Sequence, residues 1–133
     1  MRVVLDTNVF ISGIFFSGPP YEMLKAWQDN RVRIVASPSI IEEYQRVAET
    51  LSDKHSGIDI GEIIDLLIAH AELIVTERLK ESVCEDPHDD KFIECALAGK
   101  AKFIVSGDKH LLRVSGYQGI KILTPRQFMG RYL

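Results

Sequence analysis

Nowhere in the 133 residues is there an apolar run of the roughly 18 residues that a membrane span requires. The opening stretch has the apolar look of a leader. However, Asp6 and Asn8 fall inside what would be its hydrophobic region, and only Arg2 stands ahead of it. That stretch is therefore expected to be a buried strand, and the protein to be cytoplasmic with no membrane partner. Cysteine is scarce: Cys84 and Cys95 have neither a CxxC spacing nor the density of a disulfide scaffold, which fits a reducing compartment. His55, His70, His88 and His110 are scattered and form no Cys/His cluster, so nothing argues for zinc. There is no low-complexity tract, internal repeat or linker, and with 46% hydrophobic and 26% charged residues a disordered or fibrous chain is excluded. One domain over residues 1–133, with one core, is what this length supports.

The net charge of −3 hides an uneven division. Residues 1–98 carry nine Lys/Arg against eighteen Asp/Glu, whereas residues 99–133 carry seven against one. The basic end, with Lys100, Lys102, Lys109, Arg113, Lys121, Arg126 and Arg131, either solubilises a surface or meets a polyanion.

Short β-branched or apolar runs at Val3–Leu5, Ile34–Ala36, Leu73–Val75, Phe103–Val105 and Ile120–Leu123 predict five strands. Several are apolar at consecutive positions, the pattern of strands covered on both faces of a parallel sheet. Helical periodicity fills the intervals. Pro20–Asp29 places Met23, Leu24 and Trp27 on one face, and Ser39–Leu51 does so with Ile40, Tyr44, Val47 and Leu51, with Ser39 as N-cap and Glu42 as capping-box partner. Ile60–Glu72 and Asp90–Gly99 follow, then a short closing helix that begins at Pro125 with Thr124 as cap. Leu51–Gly57 reads as an exposed loop. Strands alternating with helices predict an α/β domain, a three-layer sandwich whose mainly parallel five-stranded sheet carries helices on both faces.

In such sheets, sites form beyond the carboxyl ends of the strands. Asp6 follows Val3-Val4-Leu5, and Asp108 follows Phe103-Ile104-Val105 after Ser106 and Gly107, so both emerge on one rim. The helix after the second strand starts at that rim with Glu42 and Glu43, which periodicity separates only weakly, Glu43 lying beside the buried stripe. A second acidic cluster, CEDPHDDKF, holds Glu85, Asp86, Asp89 and Asp90 just before an apolar helix, where Asp89 or Asp90 falls at the N-cap or first turn. By itself Asp89 reads as a cap and Asp86 as structural. Four separate segments delivering carboxylates to one rim is another matter. Such clustering calls for cations, and Mg²⁺ or Mn²⁺, hard ions that prefer oxygen ligands, suit it.

The stretches VVLDTNVFIS, SPSIIEEYQRV, EDPHDDKFIECALAGKAKFIVSGDKHLL and IKILTPRQF resemble, in that order, the motifs of PIN-domain nucleases, especially the small prokaryotic toxin components called VapC-like. The resemblance covers almost the whole chain. It implies a PIN-like fold and an endoribonuclease that uses Mg²⁺ or Mn²⁺ on single-stranded RNA. It also implies catalytic and metal-binding roles for Asp6, Glu43, Asp90 and Asp108, with Glu42, Asp86 and Asp89 as neighbours. Family members are commonly homodimers, and the toxins pair with an antitoxin that blocks the site. In that scheme Asp6, Asp90 and Asp108 hold one or two ions and Glu43 positions the attacking water. Asn8 and Ser106 hydrogen-bond ligands or substrate, and Lys91, Lys109, His110 and Arg113 form a phosphate track.

Two other classes share an aspartate after an early strand. A haloacid-dehalogenase-type phosphotransferase needs a second acid two residues after its nucleophile, where this chain has Asn8, and a response receiver needs a central Asp that Ile34–Pro38 does not offer. A PIN-like module that binds RNA or assembles without cutting is the remaining alternative.

Overall fold

The computed structural model describes residues 1–52 and 59–133. Five strands, β1 (Arg2–Leu5), β2 (Arg33–Ala36), β3 (Glu72–Leu73), β4 (Phe103–Val105) and β5 (Lys121–Leu123), form one sheet in the order β3-β2-β1-β4-β5. Every pairing is parallel, with Val3 opposite both Ile34 and Phe103, and Leu5 opposite Val105. Val3, Val4, Leu5, Ile34, Val35, Ala36, Ile104 and Val105 are all buried, which explains why these strands are apolar without alternation.

Seven helices connect and close the sheet: α1 (Thr7–Phe15), α2 (Pro19–Gln28), α3 (Pro38–Ser52), α4 (Ile60–His70), α5 (Asp90–Ala98), α6 (Lys109–Leu112) and α7 (Pro125–Tyr132). The chain winds outward from β1 to β2 and β3, then returns to β4 on the other side of β1. Right-handed connections on such a path put α1 to α4 on one face and α5 and α6 on the other, while α7, which follows the last strand, packs against α2. The expected three-layer α/β architecture is the one observed.

Several boundaries differ from the sequence reading, each for a physical reason. The opening run is a strand only as far as Leu5; Val9 and Phe10 then donate to the Asp6 carbonyl at 3.0 and 3.1 Å, and the chain turns into α1. Val9, Phe10, Ile11 and Gly13 are all buried, so α1 is apolar on most sides and shows no amphipathic period. A Cβ at Gly13 would stand 2.7 Å from both Leu24 Cδ1 and the Pro20 carbonyl, so glycine is what lets α1 and α2 touch. The hydroxyl at the start of α3 is Ser37, not Ser39: Ser37 Oγ accepts from Ile40 N at 3.3 Å, while Ser39 is exposed. The third strand is Glu72–Leu73 rather than Leu73–Val75. It is the sheet's edge, and Val75 is 90% exposed. α4 accordingly stops at His70. Of the expected loop Leu51–Gly57, Leu51 and Ser52 complete α3 and the remainder lies outside the described residues. At the far end Thr124 caps α7 as expected, in a reciprocal box with Gln127.

Candidate active site

Reversal of winding direction leaves a crevice beyond the carboxyl ends of β1 and β4, the position where open α/β sheets build their sites. Asp6 enters it directly. Its N–H donates to the Val105 carbonyl at 2.9 Å, continuing the sheet by one residue, and its side chain is 7% exposed. Ser106 leaves β4 alongside, its own N–H bonded to Leu123 O at 2.9 Å. The buried Ser106 hydroxyl donates to Asp6 Oδ2 at 2.7 Å and accepts from Asp108 N at 3.0 Å, so one side chain holds both acidic positions. Asp108 then caps α6, accepting from His110 N at 2.9 Å.

Glu43 reaches the same rim from α3. Its helix is anchored by the fully buried Tyr44, whose hydroxyl donates to the Leu5 carbonyl and whose ring stacks on Phe10 with centroids 4.3 Å apart. Such a stack contributes about 0.5–1.5 kcal/mol beyond its buried area. With Tyr44 turned inward, Glu43 is half-buried beside it and Glu42 is exposed, which resolves the pair that periodicity left open. Glu43 Oε2 accepts a hydrogen bond from the hydroxyl of buried Thr7, and Oε1 lies 2.7 Å from Lys91 Nζ and 3.8 Å from Arg46. Burial raises this carboxyl's pKa, but Lys91, Thr7 and Arg46 outweigh it and hold the group below its ordinary value. Lys91, expected on a phosphate track, is thus committed to Glu43. Thr7 was not singled out in the sequence, although it directly follows Asp6.

The second acidic cluster divides in an unexpected way. Asp90 Oδ1 accepts from Cys84 N at 2.8 Å and Val83 N at 3.1 Å, fastening the preceding segment to the start of α5. Burial works against its charge, yet the bonds from Ser82, Cys84 and Val83 keep its pKa below the usual value. Asp89, expected as a cap, makes no capping bond. Its carboxyl is pushed up to about 6, first by burial and then by Asp6, Asp86, Asp108 and Glu43. Asp6 is raised as well: burial dominates, Asp108 and Glu43 add to it, and bonds from Ser106 and the Thr7 backbone oppose it. Asp6, Glu43, Asp86, Asp89 and Asp108 thus act on one another through their charges, while Asp90 Oδ1 is taken up by backbone N–H groups. Asp86 caps the 3-10 turn at Pro87–Asp89 through His88 N at 3.0 Å.

Lys109 and Arg113 are exposed on α6, with Arg113 and His110 both beside Glu85 at 3.8 and 2.5 Å. Asn8 is exposed and hydrogen-bonds nothing among the described residues. A cavity of about 860 Å³ lies elsewhere, between residues 75–83 and α5, and includes none of these carboxylates.

Among the described residues no three His, Cys, Asp or Glu side chains are drawn close enough to hold an ion unaided. The donors at the rim are nonetheless all hard oxygens carrying more negative charge than Lys91 and Arg46 offset. Mg²⁺ keeps several of its waters and needs only one or two carboxylates together with substrate phosphate. The donor set fits such an ion.

Residues 2–110, a span that contains all these carboxylates, match the family model described as PIN domain. The chain belongs to the PIN-domain family. Members are generally nucleases. Over 99% of its length this PIN domain is 30% identical to the uncharacterized protein MJ1680 of Methanocaldococcus jannaschii, covering 92% of that protein. Its fold matches a crystal structure described as VapBC2 from Rickettsia felis bound to a DNA fragment from their promoter. There the TM-score is 0.61 and the identity 18%, over 92% of this chain and 97% of the other.

Proposed function

We propose that this PIN domain is a metal-dependent endoribonuclease that hydrolyses phosphodiester bonds of single-stranded RNA, and that it is the toxin of a toxin–antitoxin pair. One observation carries the catalytic reading. Asp6, Glu43, Asp89 and Asp108, carried by four segments far apart in sequence, lie close enough for their charges to act on one another, and burial and mutual repulsion push Asp6 and Asp89 up. A carboxylate cluster under that strain is relieved by a divalent cation. Asp6, Asp89 and Asp108 would hold Mg²⁺ or Mn²⁺, with Glu43 adjoining, and Asp89 takes the place first expected for Asp90. Bound there, the ion supplies Lewis acidity, neutralising the phosphate and making water a stronger nucleophile.

The remaining work falls to the chain. Glu43, kept ionised by Lys91 and Thr7, accepts a hydrogen bond from the water and orients it in line with the P–O bond to be broken. Ser106 fixes Asp6 and the start of the Asp108 turn, so neither has to reorganise when substrate arrives. Lys109 and Arg113, exposed just beyond Asp108, draw in the polyanion. The antitoxin partner is supported by the family resemblance and by the fold shared with VapBC2, and a homodimeric state by the family resemblance alone. The test is incubation of purified protein with single-stranded RNA and Mg²⁺ or Mn²⁺. Cleavage is expected, stopped by chelator and lowered by about two orders of magnitude in Asp6→Asn, the scale of losing one group that stabilises transition-state charge. Undiminished cleavage by Asp6→Asn, or RNA binding without metal-dependent products, would overturn the proposal.

A further inference from the structure

A groove of about 450 Å³ opens beside the carboxylates, lined in part by Asn8, Val9, Pro20, Gly107, Pro125 and Arg126. That volume falls within the range of about 300–1,000 Å³ typical of small-ligand sites. Two of its walls are continuous with the catalytic rim, since Asn8 stands two residues after Asp6 and Gly107 immediately precedes Asp108. Its floor is apolar. Its edge carries the exposed Arg126 guanidinium and the Asn8 amide, which has no hydrogen-bond partner among the described residues.

Gly107 gives the decisive detail. Its φ lies outside the left-handed region, and a Cβ placed there meets no heavy atom within 4 Å. Neither backbone conformation nor packing calls for glycine here, in contrast to Gly13. Glycine leaves the groove wall without a side chain where the chain runs on into Asp108.

We infer that this groove is the subsite for the nucleotide next to the scissile phosphate, an inference that rests on the nuclease reading above. A strand whose phosphodiester lies at the carboxylates must continue along the surface past Asn8 and Gly107. There Val9, Pro20 and Pro125 take up the unstacked base, Asn8 hydrogen-bonds its edge or the ribose, and Arg126 meets the following phosphate or stacks on the base. Charge complementarity favours a nucleotide over an apolar peptide side chain, because Arg126 belongs to the basic end of the chain, which holds one carboxylate against seven cations. The experiment is ultraviolet cross-linking of single-stranded RNA containing 4-thiouridine to the Asp6→Asn protein, followed by peptide mapping. It is paired with steady-state cleavage by otherwise native chains. Cross-links are expected within residues 8–20 and 124–126. Gly107→Leu and Arg126→Gln should each raise KM by about tenfold, the scale of one lost base contact, with a smaller effect on kcat. Arg131→Gln, the same charge change on the same helix away from the groove, should leave KM unaltered. Cleavage with cross-links confined elsewhere, or with KM unmoved in both groove variants, overturns the subsite and leaves the nuclease standing. Cross-links at the groove without any cleavage by the native chain leave it an RNA-binding groove and overturn the nuclease together with the place beside a scissile phosphate. A groove that cross-links no RNA but is covered by a second copy or a bound polypeptide overturns the subsite as well.

Discussion

Asp86 and Asp108 stand ahead of a helical turn and use it in the ordinary way, each giving an oxygen to the N–H two residues on, His88 and His110. Asp6 occupies the same kind of place before α1 and makes no capping bond, and Asp89, the last residue of the turn that Asp86 caps, makes none at the start of α5. An N-cap contributes about 1 kcal/mol, so leaving it unmade at Asp6 is a cost the fold accepts. Asp6 turns to Ser106 beside the switch point, and both carboxyls are raised from their ordinary value, Asp89 to about 6. At this rim, an aspartate in cap position that withholds its oxygen belongs to the candidate site. Asp108 does both, with one oxygen on His110.

The contrast breaks most visibly at the adjacent pair Asp89 and Asp90. Asp89→Asn is expected to lower metal-dependent RNA cleavage by about 10–100-fold, the range for groups that tune a metal site, without loss of thermal stability. Asp90→Ala removes the acceptor for Val83 and Cys84 N–H and should destabilise the fold by about 1–3 kcal/mol in urea titrations, while the Mn²⁺ concentration needed for cleavage stays the same. If the two variants exchange phenotypes, Asp90 is the ligand and Asp89 the structural residue.

A pH series sharpens the same contrast. Asp89, at about 6, and Asp6, also raised, hold their protons more tightly folded than unfolded, where both start from 3.8. Below 3.8 both states are protonated and nothing is lost; as pH climbs through 6 the unfolded chain ionises first and the fold weakens. Glu43 and Asp90 are shifted the other way, so their contribution is complete above their ordinary values and lost only in stronger acid. In chelator, the melting temperature should therefore fall by a few degrees between pH 5 and pH 7, and calorimetry with Mn²⁺ present should show the fall removed. The smallest effect belongs to an ordinary cap: Asp86→Ala should cost about 1 kcal/mol or less and leave cleavage of bound RNA near its native rate.

Asp6 and Asp108 were accessible from sequence because strand ends suffice to place them, whereas the helical stripe favoured Glu43 over Glu42 only weakly and the inward Tyr44 is what separates the two. Asp89 and Asp90 were not separable that way. Both fit the start of α5, and what distinguishes them is the fold-back of Val83 and Cys84, whose backbone N–H groups leave no trace in side-chain patterning. Lys91 looked free for the same reason, its partner Glu43 lying 48 positions away. Likewise α1 escaped notice because a helix enclosed by α2 and α3 has no polar face to mark its period.

Ser106 and Asp6 are hydrogen-bonded across a separation of 100 residues, and β1 receives its inner neighbour only when β4 arrives. Contacts of such long range form late in folding. On a growing chain, β1 and Asp6 emerge first and wait through the synthesis of α1 to α5 with one side of β1 unpaired. A nascent chain therefore carries no assembled cluster beside the message being translated. Completion of β4 sets the moment at which Asp6 and Ser106 can come together.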